Sequence, residues 1–476
     1  MNLENLKLNI KNIVDDIFKH YPIIFKVIQE LKKHNAKVYL VGGAVRDLIL
    51  NKDILAIPDI DIEVHNLKLE DLSVLLNKFG EVDYVGKSFG ILKLRHLNID
   101  WSLPRSDKQG RKPEVKIDPY LDIKEALKRR DLTINAIAID LIKLELVDPF
   151  NGVKDIKEKV LRSPDINFFQ DDPLRFYRVM QFISRFQMHP NPELNNICQN
   201  MNIKDVSIER IDQEFKKLLL KSNIPSLGIR WLQDINRLKD ILPELYNTTK
   251  VPQDPLWHPE GYVFEHLMQS LDASALLKYK NNEEKLTIML AALSHDLGKV
   301  KTTIKTPDGH IRSPGHDEAG EPLAKSMLKN IITNKHLIKT VSILVKYHMR
   351  PMQFIKSNAS LSAYKRLAYQ LNSFANLDML IKLLISDLQG RNGKSDFPLN
   401  QTMELATQFK EKAIQAKVLL EPEKPILTGK DLINIINPGP LMGQILKYAY
   451  KIQINKNIKD KDILKRRTFK DLNIKI

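Results

Sequence analysis

Residues 38–64 read V-Y-L-V-G-G-A-V-R-D-L-I-L-N-K-D-I-L-A-I-P-D-I-D-I-E-V, and the first part of the chain is organised around them. Val38-Tyr39-Leu40-Val41 is a β-branched and aromatic run of strand length that stops at Gly42-Gly43, and Ala44 to Leu50 takes up helical spacing. A strand therefore hands over to a helix through two glycines. Glycine lets a backbone approach a phosphate closely, the N–H groups of a helix start favour anions, and Arg46 adds a fixed charge with several donors. The arrangement suits the triphosphate end of a nucleotide. Pro58-Asp59-Ile60-Asp61-Ile62-Glu63-Val64 then alternates strictly, which puts Asp59, Asp61 and Glu63 on one strand face and the isoleucines on the other. Two carboxylates side by side can hold a pair of Mg²⁺ ions, which keep water and substrate phosphates in their remaining positions. The chemistry implied is nucleotidyl transfer. A lone D-x-D also fits an acidic edge strand facing water; the G-G-x-V-R-D turn so shortly before it makes the pair far more specific.

Composition bounds the rest. With 476 residues and 43% hydrophobic content the chain is long enough for roughly two to four domains with real cores. Lys+Arg 74 against Asp+Glu 58 gives a net charge of +16, with pI ≈ 9.4, which favours a polyanionic partner, nucleic acid first. The chain is also rich in Lys, Asn and Ile, a compositional bias that produces positive charge without any ligand. Cys198 is the only cysteine, so an intrachain disulfide and a cysteine-based zinc site are both excluded. Charges interrupt every apolar stretch near the start, and no window approaches the roughly 18 apolar residues of a membrane span. A cytoplasmic enzyme with no membrane association fits these features.

G-G-A-V-R-D followed by D-I-D resembles the head domain of the class II nucleotidyltransferases, the tRNA CCA-adding enzymes and bacterial poly(A) polymerases. Asn98 to Arg105 reads as a further strand carrying Asp100, where a third carboxylate of this transferase class can sit, although an Asp near a strand end is often structural. Residues 105–116 are polar, contain Gly and Pro, and read as a mobile loop. Lys124 to Leu141 reads as one helix, with Asp131 and Asn135 a turn apart around Thr133. A solvated basic helix face accounts for it, but R-R-D-L-T-I-N-A (129–136) also resembles the family's second motif. That likeness implies that Arg130 contacts the nucleotide and that Asp131 and Asn135 hold its sugar end. Upstream the chain has Glu125-Ala126-Leu127 where the family has paired acids. Asp148-Pro149-Phe150-Asn151-Gly152 is a turn by composition and resembles the family's head-to-neck hinge.

Beyond Gly152 no convincing strand is read. Asp171-Asp172-Pro173 opens a helix on which Arg175 and Arg178 lie one turn apart. An Asp offers acceptors and an Arg donors, so a fixed pair can imitate the Watson–Crick partner of a base. In the resembling family this helix reads the incoming base, which implies Asp172 and Arg175 as base readers for C or A and Arg178 as nucleotide support. Asp171 stands where the family has Glu. Glu209 to Glu214 (E-R-I-D-Q-E) resembles the last neck motif, a structural one.

A Pro-rich stretch from Leu242 to Tyr262 reads as a linker. After it come His266, His295-Asp296, His316, His348 and Asp387, all in helical surroundings. Each alone reads more readily as a core or surface residue, but together they resemble the HD metal-dependent phosphohydrolases. Imidazole and carboxylate ligands suit a divalent transition metal such as Ni²⁺, Mn²⁺ or Fe. His266, His295, Asp296 and Asp387 are the principal candidates, with His316 and His348 placed to complete a second metal position. Leu427 to Leu432 and Pro438 to Leu446 resemble C-terminal segments of the family, and the basic end, Lys451 to Lys475, is suited to gripping tRNA or to being a solvated terminal helix.

The expectation is an α+β chain: a polymerase-β-like mixed-sheet head, an all-α neck and body, and an all-α HD domain. Its segments are 1–37 (helical), 38–150 (catalytic head), 151–250 (neck and body, base selection and RNA binding), 251–400 (HD phosphohydrolase) and 401–476 (basic helical tail). The resemblance implies addition of CCA to tRNA from CTP and ATP with Mg²⁺ and release of pyrophosphate, by a monomer or homodimer. Alternatives are a poly(A) polymerase, a partial CC- or A-adding enzyme, and, in another class, an RNA-binding or metal-sensing protein with degenerate sites.

Overall fold

Two compact units divide the chain, Met1–Val206 and Ser207–Ile476. The computed structural model describes residues 3–50, 52–57, 59–85, 90–107, 115–391 and 399–474. Pro58 of the acidic strand motif, residues 108–114 of the polar segment and Lys475 of the basic end lie outside the described residues.

In the first unit two helices, α1 (Leu3–His20) and α2 (Pro22–Lys33), lead into β1 (Lys37–Val41), α3 (Gly43–Ile49), β2 (Ile60–His65) and α4 (Leu69–Leu76). There follow β3 (Val82–Tyr84), β4 (Ile91–Leu94), β5 (Ile99–Ser102), the paired β6 (Arg105–Asp107) and β7 (Val115–Ile117), α5 (Ile123–Lys128), β8 (Ala138–Asp140), β9 (Glu145–Val147), α6 (Gly152–Glu158), α7 (Ile166–Asp171) and α8 (Leu174–Phe186). Seven strands form one mixed sheet in the order β3-β4-β5-β2-β1-β8-β9. The β2–β5 pair is parallel and the other pairs are antiparallel. Val38, Leu40, Ile60, Ile62, Ile99 and Trp101 are all buried, and each such side chain contributes about 1.5–3 kcal/mol. The register puts Asp61 opposite both Val41 and Asp100. The carboxylates of β2 and β5 therefore meet beside the glycine turn at the end of β1.

Three expectations of local structure are corrected first. The helix read over Lys124–Leu141 ends at Lys128; residues 133–135 form a single 3₁₀ turn and residues 138–140 are strand β8. Tertiary partners and a neighbouring side chain take the backbone groups that a helix would have used. Thr133 N–H donates to Arg162 O at 2.8 Å, the Asp131 carboxylate accepts from Leu132 N at 2.9 Å, and the wholly buried run Ala136–Leu141 pairs with β1. The polar segment from 105 to 116 is bounded by the β6–β7 pair, in which Arg105 lies opposite Ile117. Beyond Gly152 four two-residue strands do occur, Val160–Leu161 with His189–Pro190 and Ile304–Lys305 with Ile311–Arg312.

Among the described residues the second unit is helical apart from the last of these pairs and one isolated bridge. Its unit boundary precedes Ser207, so the stretch read as a linker lies inside it, and that stretch is packed. Gln253 and Asp254 are buried, Pro252 bridges to Tyr262, and Asp254 accepts from Ile311 N at 3.2 Å. Asp212 of the last neck motif accepts from Thr333 Oγ1 at 2.5 Å within the same unit. The tail builds a small core of its own from Leu427, Leu432, Met442, Ile445, Leu464 and Phe469. Among the described residues no helix is long and apolar enough to cross a membrane.

Gly298 packs closely against the start of the helix His316–Lys329. A Cβ at Gly298 would lie 1.9 Å from His316 O and 2.6 Å from Gly320 N. Gly298→Ala should therefore destabilise the unit by about 3 kcal/mol, the upper end for overpacking, and push His316 from its place. Urea unfolding followed by circular dichroism checks this; an unchanged midpoint contradicts the packing.

Candidate functional sites

In the first unit, exposure falls along the acidic strand: Asp59 is exposed, Asp61 half-buried and Glu63 buried. Burial, and then the negative charges of Asp100 and Asp59, raise the Asp61 carboxyl above the usual range, while Arg130 opposes them. One oxygen of Asp100 is buried without a hydrogen-bond partner, although Lys93 Nζ lies 3.2 Å from it. Asp59, Asp61 and Asp100 offer the hard carboxylate oxygens that a divalent cation such as Mg²⁺ takes. A Cβ at Gly42, whose φ is +75°, would meet Asp61 Oδ2 at 3.3 Å and Arg130 Nη1 at 3.4 Å. The missing side chain lets the turn, the carboxylate and the guanidinium come together.

Arg46 is placed differently from a free phosphate ligand. It is buried, its Nε donates to Asp47 Oδ1 at 2.9 Å, it bonds Asn135 Oδ1, and it stacks 4.6 Å from the Phe186 ring centroid. Asn135 Nδ2 donates to Asp131 Oδ1 at 2.9 Å, and Arg178 Nε donates to Asp131 Oδ2 at 2.6 Å. Lys52 closes the other end, 3.0 Å from Asp47 Oδ2. A continuous polar chain thus joins the glycine turn, the second motif and α8. Burial pushes the Asp131 carboxyl up, but the charge of Arg178 and the bonds from Asn135 and Arg178 outweigh it and hold it at about 2. Arg175 is clamped by two carbonyls, Phe168 O and, at 2.9 Å, Arg129 O. Asp172 caps Leu174 N at 3.1 Å. The side chains of Asp172 and Arg175 thus sit at the start of α8, the one fixed by the backbone, the other fixing it.

In the second unit four histidines point their Nε2 atoms inward. His266 Nε2 and His295 Nε2 are 3.2 Å apart, and so are His316 Nε2 and His348 Nε2. Asp296 lies between the pairs: its Oδ2 is 3.6 and 3.5 Å from the first, its Oδ1 3.2 and 3.7 Å from the second. Asp387 Oδ1 is 3.1 Å from His266 Nε2. Two groups able to hold an ion share Asp296, His266–His295–Asp296 and Asp296–His316–His348, and a third is His258–Glu260–His266. Burial lowers His348 to about 3, with His316 and His295 adding to it. For His266 burial acts downward too, but Asp387 and Glu260 prevail and raise it to about 9.

Sequence reasoning missed His258, Glu260 and Lys299. Lys299 Nζ is 2.7 Å from Asp296 Oδ2 and donates to Gln253 Oε1 at 2.7 Å. Glu260 Oε1 is 2.8 Å from both His258 Nδ1 and His266 Nδ1. The signal available was H-x-E just before a further His.

A mixed sheet with carboxylates on adjoining strands beside a glycine turn, followed by a helical unit with convergent histidines and aspartates, defines a nucleotidyltransferase head joined to an HD-type domain. Residues 38–162 match the poly A polymerase head domain and residues 263–377 the HD domain. The multifunctional CCA protein of Nitrosospira multiformis is 30% identical over 78% of this chain and 88% of its own, and that of Alkalilimnicola ehrlichii 30% over 79% and 89%. The chain belongs to this family, the bacterial class II CCA-adding enzymes with an HD domain. In fold it is similar to the Bacillus stearothermophilus CCA-adding enzyme in complex with CTP, with a TM-score of 0.60, 18% identity and coverage of 95% of this chain and 98% of the other. It is likewise similar to the Thermotoga maritima CCA-adding enzyme complexed with tRNA, with a TM-score of 0.53, 19% identity and coverage of 99% and 96%.

Proposed function

We propose that this protein adds CCA to the 3′ end of tRNA from CTP and ATP and releases pyrophosphate, and that its HD domain hydrolyses phosphoester bonds. The observation that carries the first part is the register of Asp61 against Asp100 beside Gly42, within reach of Arg130. Asp59 and Asp61, with Asp100 as a third carboxylate, would hold Mg²⁺, which when bound neutralises phosphate charge and supports in-line displacement. The tRNA 3′-hydroxyl attacks the α-phosphate. Gly42 and Gly43 leave room for the triphosphate, Arg130 offers donors to it, and Asp131 and Asn135 face its sugar. Asp172 and Arg175 read the base without a template, with Arg178 in support. Arg46 acts from behind, holding Asn135. Residues 38–150 carry the chemistry, 151–250 base selection, 251–400 the hydrolase and 401–476 tRNA contacts, in the cytoplasm.

For the HD centre, the fit is four Nε2 atoms aimed at two carboxylates, a donor set for a transition metal such as Ni²⁺ or Mn²⁺. When bound, such an ion supplies an activated water for phosphoester hydrolysis.

Purified protein incubated with tRNAs ending before CCA, after C and after CC, with Mg²⁺ and CTP, ATP or both, gives the test at single-nucleotide resolution. The expected result is stepwise extension that stops at CCA. Long A tails would assign a poly(A) polymerase, extension of only some substrates a partial enzyme, and an inert protein would overturn the reading.

A further inference from the structure

Three of the four inward-facing histidines are held from behind by a backbone carbonyl. His295 Nδ1 lies 2.9 Å from Ala292 O, His348 Nδ1 2.7 Å from Val345 O, and His316 Nδ1 2.8 Å from Ser313 O. This follows from where they sit. His295 and His348 close helices Asn282–Ser294 and Lys335–Tyr347, whose last carbonyls have no intrahelical partner, and His316 opens helix His316–Lys329 after a loop. Each carbonyl favours the proton on Nδ1 and leaves the Nε2 lone pair facing the centre. His266, inside helix Val263–Ala275, has no such carbonyl: its Nδ1 is buried without a hydrogen-bond partner.

The stretch before that helix supplies the missing partner. The Glu260 side chain is fully buried, its Oε1 is 2.8 Å from His266 Nδ1 as an ion pair rather than an aligned hydrogen bond, and its Oε2 has no hydrogen-bond partner. Oε1 is also 2.8 Å from His258 Nδ1, and the His258 ring packs edge-on to His266 at 4.8 Å. Gln253 of this stretch holds Lys299, which is paired with Asp296. Residues 252–262 thus back two of the candidate ligands.

We propose that Glu260 is a positioning residue for the HD metal centre: it fixes His266 with the proton on Nδ1, so that Nε2 is free to bind the metal, and its charge strengthens that ligand. The proposal rests on reading His266 as a metal ligand. Carboxylates behind ligating histidines typically account for 10- to 100-fold in metal affinity.

The test uses Ni²⁺ and the full-length chain in an Asp59→Ala/Asp61→Ala background, so that the head takes up no ion. Stoichiometry and Kd are measured by equilibrium dialysis for the parent, Glu260→Gln and Glu260→Asp, with circular dichroism as the fold control and ¹⁵N histidine shifts of the metal-free protein, recorded above the value of about 9 at which His266 becomes neutral, reporting the tautomer. The expected result is an unchanged number of ions, a Kd raised 10- to 100-fold in Glu260→Gln, partial recovery in Glu260→Asp, and loss of the Nδ1–H signature of one histidine. A Kd equal to the parent's overturns the proposal, and so does a stoichiometry lower by one, which would make Glu260 itself a ligand. If the Gln variant does not fold, the Asp variant carries the same comparison. A parent that binds no Ni²⁺ overturns the metal-centre reading and the proposal with it.

Discussion

Asp61→Ala should lower nucleotide addition by about 10²- to 10³-fold, the scale on which loss of a group that stabilises transition-state charge acts, while tRNA binding persists. Asp59→Ala should behave alike. Stability gives the second half of this expectation. The Asp61 carboxyl is raised by burial and by the charges of Asp100 and Asp59. A carboxyl raised in the folded state adds stability below its unfolded value of about 3.9 and loses it as pH rises through the folded value. At neutral pH and without Mg²⁺ the ionised Asp61 is therefore a liability to the fold. Asp61→Asn should melt at the same or a higher temperature than the wild type in EDTA, and added Mg²⁺ should raise the melting temperature of the wild type much more than that of the variant. Normal turnover by either variant would sink the metal assignment; a clear fall in the EDTA melting temperature of Asp61→Asn would sink the electrostatic account.

The readability of this site from sequence differs from residue to residue for physical reasons. Gly42, Asp61 and the strands around them were legible because side-chain alternation has a period of two and because two adjacent glycines stop a strand. The run Ala136–Leu141 was misread because a short, continuously apolar segment suits a buried strand as well as a buried helix; only its pairing with β1 decides, and that partner lies some hundred residues earlier. Arg46 was legible as a charge just after the glycine turn but not as the partner of Asn135, 89 residues away. The stretch before His266 was misjudged for its prolines. Proline marks irregular backbone, which a loop packed around buried Gln253 and Glu260 shares with an exposed linker.

Asp131→Asn should have the opposite sign from Asp61→Asn, although both replace a carboxylate by its amide in the same unit. Asp131 accepts from Leu132 N, Asn135 Nδ2 and Arg178 Nε, so its ionised form is stabilised by the fold rather than opposed by it. Its carboxyl is held at about 2 against a usual 3.8, roughly two units, which corresponds to about 2–3 kcal/mol. Removing the whole side chain costs more, about 3–5 kcal/mol, because Arg178 Nε and Asn135 Nδ2 both lose the carboxylate to which they donate. A lowered carboxyl gives stability that is present above its unfolded value and is lost as pH falls through the folded one. The gap between wild type and Asp131→Asn should accordingly be full at pH 7 and close between about pH 4 and pH 2, as the wild type protonates. Because Asp131 also fixes the Asn135 that Arg46 holds, addition should weaken for both nucleotides together, unlike a change at Arg175, which should alter the choice between CTP and ATP. Denaturant unfolding of the two variants across this pH range decides the matter: a constant gap, or an Asp131→Asn protein as stable at pH 7 as the wild type, would show that the chain from Lys52 to Arg178 does not hold the head motifs together.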